Sequence, residues 1–515
     1  MNYTKEIKIK CGLIKGKMVD EDIAAYLGIP YAQPPVGSLR FKEAIEHEPW
    51  DGVLECTEYG KSPYQNPITA NPLWTEEFMA SSTEISEDCL TINVVANTKM
   101  TKMPVVLYHF GGGFTSGGSS CEIYDGTTLA KNGVILVTFN HREGTFGLYS
   151  SETLSEKADS KASGNYLLLD DIMALKWVRE NIEAFGGDKD NITIMGQSSG
   201  AAEVNSLVCS PLTKGMYKRA FSLGFNSYNL FARLTVPKEL GYEMSKRVLD
   251  ELNVTEDEFV NLPAEKMHSV GPIGNLSIDG YSLVKDFKSA VLEGDTNDIP
   301  IVMSAVPGDS MMASVFSRFL FDGGKLDSKD TLRRLCTNFF KEKEDLAEKI
   351  YDFENNDIDT IKKAINEDFT ISSMLEFAKG RKIAKASAPT YLLYFTHVMP
   401  GPNSKAYGAF HSAEVPYYFN HLSKFRDEYW TEDDYNVAHL ASSELVQLAK
   451  GEDFISENLI PSDGNNYCLL ATDGIKNVVF PEDKRELYAY AFEHTKGTIV
   501  VRDKTYSYLE DDFTC

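Results

Sequence analysis

Positive charge is scarce in this 515-residue chain: 51 Lys and Arg stand against 76 Asp and Glu, a net charge of -25. The balance argues against a nucleic-acid partner, because phosphate binders gather cations to displace counterions, and against an anionic membrane surface. Solubility is its plainest role, and a potential favouring neutral or cationic substrates is the alternative. No apolar run is long enough to span a bilayer. Met1 to Gly16 alternates charged and apolar residues and lacks the apolar core and small-residue cleavage site of a secretory signal. The eight cysteines, at 11, 56, 89, 121, 209, 336, 468 and 515, form no close pairs, so neither zinc-ligand spacing nor a dense disulfide framework is present. Reduced thiols in a cytoplasm are the expectation. Internal repeats, low-complexity segments and Pro-rich linkers are also missing, which predicts one domain over 1–515.

What is there is the composition of a globular protein, 43% hydrophobic and 25% charged. The apolar run Pro104 to Tyr108 ends in Gly111-Gly112-Gly113-Phe114, and Val134 to Phe139 ends in Asn140-His141-Arg142. Each reads as a buried strand entering a loop. From Leu168 to Ile182 apolar residues recur at helical spacing until Gly186-Gly187 stops the helix. Strand Ile192 to Met195, the turn Gly196 to Gly200 and a helix opening at Ala201-Ala202 follow. Alternating strands and helices build a largely parallel central sheet flanked by helices, an α/β class. Beyond residue 230 the pattern turns polar and helical, broken by Ile301 to Met303 and Tyr391 to Phe395, so 235–295 and 312–388 are predicted as helical insertions above the sheet's carboxyl edge.

Gly196-Gln197-Ser198-Ser199-Gly200 fits Gly-x-Ser-x-Gly, in which serine sits on a sharp strand-to-helix turn. The pentapeptide is weak evidence alone, but a strand just before it and a helix just after it are what the chemistry requires. A serine hydroxyl needs a base, and the base a carboxylate to orient it. In serine, acid, histidine order the candidates are His268, His397, His411, His421, His439 and His494. His411 stands out in the small-residue loop Gly408 to Glu414, without order and context alone deciding for it. The three glycines at 111–113 suit a phosphate cradle or an oxyanion hole, and no Gly-Lys-Ser/Thr follows to favour the first.

Several longer stretches resemble the type B carboxylesterase and cholinesterase family over most of the chain: Gly28-Ile29-Pro30-Tyr31-Ala32, Pro34-Pro35-Val36-Gly37, Leu39-Arg40-Phe41, Ser86-Glu87-Asp88-Cys89-Leu90 and Phe185-Gly186-Gly187-Asp188. The resemblance implies an α/β-hydrolase fold and a serine carboxylesterase acting on neutral carboxylic esters through an acyl-enzyme, with no cofactor and no metal. It implies Ser198 as nucleophile, His411 as base, Gly112, Gly113 and the Ser199 N–H as oxyanion hole, and Asp309, after Ile301 to Met303, as the acid. The family usually has glutamate there, one methylene longer, so the Asp309 loop must approach His411 more closely. A rival carboxylate, Asp279, lies in Ile278-Asp279-Gly280 after no convincing strand, in what resembles the family's structural Asp-Gly turn.

The departures bear on substrate. Gln197 replaces the family's common glutamate, and Met79 stands where cholinesterases have tryptophan, so a quaternary ammonium loses a charge and an aromatic face. Phe110 replaces a common histidine and His141 a tyrosine, with no evident role. Pro63 falls where the cysteine that bridges to the Cys89 position is expected. Tyr64, Trp74, Phe78, Met79, Met311, Met312, Phe316 and Phe319 are candidates for an apolar substrate pocket or for ordinary core. Alternatives to ester hydrolysis are a triad enzyme acting on amides, thioesters or lactones and a non-catalytic interaction protein on the same fold.

Overall fold

The computed structural model describes residues 2–65, 84–224, 228, 235–271, 273–311, 325, 327–402, 404–424, 429–494, 497–501 and 504–508. They fall into two compact units: Met1–Leu223 with Leu234–Asp286 and Val415–Ile455, and Gly224–Arg233 with Phe287–Glu414 and Ser456–Cys515.

The first unit is built on strands β1 (Lys17–Met18), β2 (Ile23–Pro30), β3 (Thr91–Asn97), β4 (Met103–His109), β5 (Ile135–Phe139), β6 (Gly187–Gln197) and β7 (Arg219–Leu223), in the sheet order β1-β2-β3-β5-β4-β6-β7. β1 to β3 and the β3–β5 pair run antiparallel, whereas β5, β4, β6 and β7 are parallel. Every residue of β4 and β5 is buried. Both are apolar on both faces, which only a sheet covered on both sides satisfies. Helix α1 (Tyr166–Asn181) links β5 to β6 and passes into a short 3-10 turn, closed by Gly186 at φ 82°. Glycine adopts that left-handed conformation without a steric penalty. Helix α2 (Ser199–Cys209) follows β6 and is buried along its whole length.

The words that carried the family resemblance have structural work to do here. Arg40 holds Glu87 through two hydrogen bonds of 2.7 and 2.5 Å and donates to the carbonyls of Val260 and Leu262. Within 235–286 the helices expected there form, the longest being α3 (Lys238–Leu252), but Thr235–Pro237 and Leu276–Ile278 also pair as short parallel strands. Asp279 therefore does follow a strand, one of three residues and too short to show an apolar period.

The second unit carries β8 (Ile301–Ala305), β9 (Thr390–Phe395), β10 (Asn466–Ala471) and β11 (Gly474–Val479), adjacent in that order and parallel except for the last pair. Between β8 and β9 the described residues are helical at Lys329–Phe340, Glu344–Tyr351 and Ile358–Ile383, and residues 312–324 of the predicted insertion lie outside the described set. These helices and the later helix Glu482–His494 pack an aromatic cluster of Phe339, Phe340, Tyr351, Phe369 and Tyr488. No helix among the described residues is long and apolar enough to cross a membrane.

Candidate active site

β6 delivers the chain to Ser198, which adopts φ 57° and ψ -122° and forms the N-cap of α2. A non-glycine residue in that region is strained and persists only where its surroundings impose it. They do so through hydrogen bonds, the Ser198 N–H donating to the Leu223 carbonyl at 2.9 Å and the Ser198 carbonyl accepting from Ala201 and Ala202 at 3.0 and 3.1 Å. The flanking glycines are steric necessities: a Cβ on Gly196 would lie 2.2 Å from the Gly200 carbonyl oxygen, and one on Gly200 2.2 Å from that of His109. Ser198 is half-buried while its neighbours are buried, so the turn lifts it out of the packed interior. Gly200→Ala is therefore expected to destabilise the first unit by about 3 kcal/mol, because the clash is with backbone, and a lowered urea midpoint measures it.

The glycine loop lies against this turn. A Cβ on Gly111 would meet Gln197 Oε1 at 2.6 Å and Ser198 Cβ at 2.9 Å. Gly112 takes φ 144°, where a Cβ would fall 1.8 Å from the Ser116 carbonyl oxygen, and Gly113 takes φ 66°. The Gly112 carbonyl is engaged by Thr115 and Ser116. Gly113 is exposed and Gly112 half-buried, so the loop presents its backbone beside a serine with no side chain in the way. Gln65, which the sequence did not flag, grips the loop's far end at Gly117 through hydrogen bonds of 2.6 and 2.9 Å.

In the second unit β8 runs into a 3-10 turn, Pro307–Met311, that carries Asp309. Its Oδ2 accepts from the Val306 N–H at 2.9 Å and its Oδ1 lies 2.5 Å from His411 Nδ1. The shorter aspartate reaches because Gly308 lets the two loops touch: its N–H donates to the Ala409 carbonyl at 2.9 Å, and a Cβ there would stand 2.5 Å from the His411 nitrogen. Burial alone would lower the His411 pKa, but the hydrogen bond and charge of Asp309 raise it above 6.5, with Glu414 adding to them. In the sequence Glu414 stands out only as part of the histidine segment. It is wholly buried, and burial, then the charge of Asp309, push its carboxyl up to about 8.

Asp279 is spent on its own turn. It accepts from the N–H groups of Tyr281 and Leu283 at 2.9 Å each, from Ser282 Oγ at 2.7 Å and from Asn165 Nδ2 at 3.2 Å. Phe110 and His141, unexplained by the sequence, stack on each other with centroids 4.3 Å apart and an interplanar angle of 10°. Of the pocket candidates, Tyr64 packs on Phe146 and His268. Trp74, Phe78, Met79, Met312, Phe316 and Phe319 lie outside the described residues, as does the side chain of Met311.

A profile described as the Carboxylesterase family matches residues 3–454. The chain belongs to that family. It is 30% identical over 467 residues to a para-nitrobenzyl esterase of Bacillus subtilis (strain 168), covering 85% of this chain and 88% of the relative. A fumonisin B1 esterase of Sphingopyxis macrogoltabida is 30% identical over 425 residues, covering 80% of this chain and 74% of the relative. A solved PNB esterase structure superposes with a TM-score of 0.74 at 26% identity, covering 95% of this chain and 99% of that one. The fold is accordingly that of an α/β-hydrolase and the protein a carboxylic-ester hydrolase, as the sequence words implied.

Proposed function

We propose that this carboxylesterase hydrolyses neutral carboxylic esters by a serine acyl-enzyme route. Ser198 Oγ attacks the ester carbonyl as His411 takes its proton, and Asp309 holds the imidazole in the tautomer whose Nε2 accepts. The N–H groups of Gly112, Gly113 and Ser199 receive the oxyanion, each such donor being worth about 3 kcal/mol. The alcohol departs with the proton from His411, and water then attacks the acyl-enzyme by the same route in reverse. The observation that carries this reading is the strained Ser198 turn packed against Gly111, a conformation held at an energetic cost and useful chiefly for presenting a nucleophile.

The test is a panel of p-nitrophenyl esters of graded acyl length beside matched amides, thioesters, lactones and choline esters, together with a fluorophosphonate label. Fastest turnover of neutral esters and one adduct on Ser198 are expected. An adduct on another serine, no turnover, or a preference for amides, thioesters, lactones or the choline ester overturns the reading. Neutrality is argued from Gln197, which leaves no negative charge next to the nucleophile.

A base that must be neutral fails below its pKa. Because Asp309 raises the His411 pKa, the acid limb of kcat/KM is expected above pH 6.5, the ordinary histidine value. In Asp309→Asn the larger raising influence is gone, leaving only Glu414 against the burial that lowers the pKa, so the residual activity should show its acid limb at lower pH. A pH-rate profile of both proteins checks the sign.

We also infer a cytoplasmic location, supported by seven described cysteines that are all buried with no disulfide among them, Cys89 included. Alkylation of the denatured chain without reductant is expected to modify all eight cysteines. A pair that reacts only after reduction would count against that location.

A further inference from the structure

Beneath the glycine loop, in the first unit, five ionisable side chains meet with no more than 1% of any of them exposed: His109, His141, Glu143, Asp171 and Glu203. His109 ends β4, Asp171 comes from α1 and Glu203 from α2. His109 Nδ1 lies 3.4 Å from Glu203 Oε2 and 3.7 Å from Asp171 Oδ2, and one ligand atom from each of the three lies within 4.8 Å of the others. His141 Nε2 approaches Glu203 Oε2 to 3.5 Å, and its Nδ1 faces Glu143 at 3.8 Å and the Arg142 carbonyl at 3.4 Å.

Neither ring nitrogen of His109 and no carboxylate oxygen of Asp171 or Glu203 has a hydrogen-bond partner. Leaving so many buried polar atoms unmet is costly, and two facing carboxylates cannot both stay charged without compensation. Two things can stand between them. One is a shared proton, the only route by which Asp171 and Glu203 can hydrogen-bond to each other. The other is a cation.

The spacing at the imidazoles favours the cation, because a proton shared by the two carboxylates would leave both His109 nitrogens without a partner. Hydrogen-bonded nitrogen and oxygen sit about 2.7–3.2 Å apart. Ligands at zinc-type bond lengths in a tetrahedral shell sit about 3.3–3.6 Å apart. The contacts of His109 and His141 to Glu203 fall in the second range, and that to Asp171 lies just beyond it.

We propose that His109, Asp171 and Glu203 form a buried site for one divalent transition-metal ion, zinc foremost, with His141 as the nearest further imidazole and Glu143 behind it. The carboxylates of Asp171 and Glu203 balance the charge of a dication, and an N/O ligand set without thiolate suits zinc. His141 Nδ1 faces the Arg142 carbonyl at 3.4 Å, the kind of backbone partner that steadies a histidine ligand. The ion takes no part in ester cleavage. It ties β4, which leads into the glycine loop, to α2, which leads out of the nucleophile turn, and both to α1.

The test uses the full, untagged chain expressed in zinc-supplemented medium and dialysed into metal-free buffer. Elemental analysis is expected to find about one zinc per chain, and Glu203→Gln or Asp171→Asn about a tenth of that. X-ray absorption at the zinc edge should show nitrogen and oxygen neighbours without sulfur. A chelator should lower the Tm of the wild type and leave Glu203→Gln unchanged. Should the variants not fold, the wild type still decides: no zinc after purification or after refolding with excess zinc, or zinc bound through sulfur, overturns the site and leaves the shared proton. Full retention of zinc by a folded Glu203→Gln protein overturns it as well.

Discussion

Ser198→Ala is expected to lower kcat for a p-nitrophenyl ester by about six orders of magnitude while leaving the fold unchanged. The size follows from the role proposed for the residue: without Oγ no acyl-enzyme can form. Alanine at 198 must adopt the same φ of 57°, but the neighbouring glycines and the hydrogen bond to Leu223 still impose the turn. Circular dichroism and the urea midpoint should therefore match the wild type closely. Turnover should fall to the level of trace contaminating esterase, which a fluorophosphonate titration of active sites quantifies. Retention of even a hundredth of the wild-type rate with no labelled serine would remove Ser198 from the chemistry.

The second large effect belongs to the proposed acid. Asp309→Asn is expected to lower kcat by about three to four orders of magnitude, because the asparagine amide would face His411 Nδ1 as a donor and favour the tautomer whose Nε2 carries the proton. Its backbone role is kept, since an amide oxygen can still accept from Val306. Asp279→Asn should do the opposite. Its four acceptor contacts hold the turn after Leu276–Ile278, so exchanging one oxygen for a donor costs about 1–3 kcal/mol of stability with kcat near normal. Measuring kcat and the unfolding midpoint for both variants separates the two roles, and the reverse pattern would transfer the acid to Asp279.

Much of the fold was legible because the signals were local. β4, β5 and β9 are apolar runs whose boundaries shifted by only a residue or two, and α1 shifted by two at its start, with Gly186 ending that segment as its position suggested. The strand Leu276–Ile278 was missed because three residues carry no usable period. Gln65 and Glu414 were passed over because a lone polar residue gives no sign of burial or of what it will face.

By itself the sequence determined the covered parallel strands and the turn at Ser198, since apolar runs, glycine spacing and the strand before a helix act over a few residues. Only tertiary structure decided that Asp309 is long enough, because that depends on Gly308 bringing two loops together across about a hundred residues of chain. It alone also brought His109, His141, Asp171 and Glu203 together, though each lies roughly thirty residues from the next. Periodicity records which face of an element is buried. Which buried side chains meet is set by sheet register and helix packing, quantities that no short stretch of sequence contains.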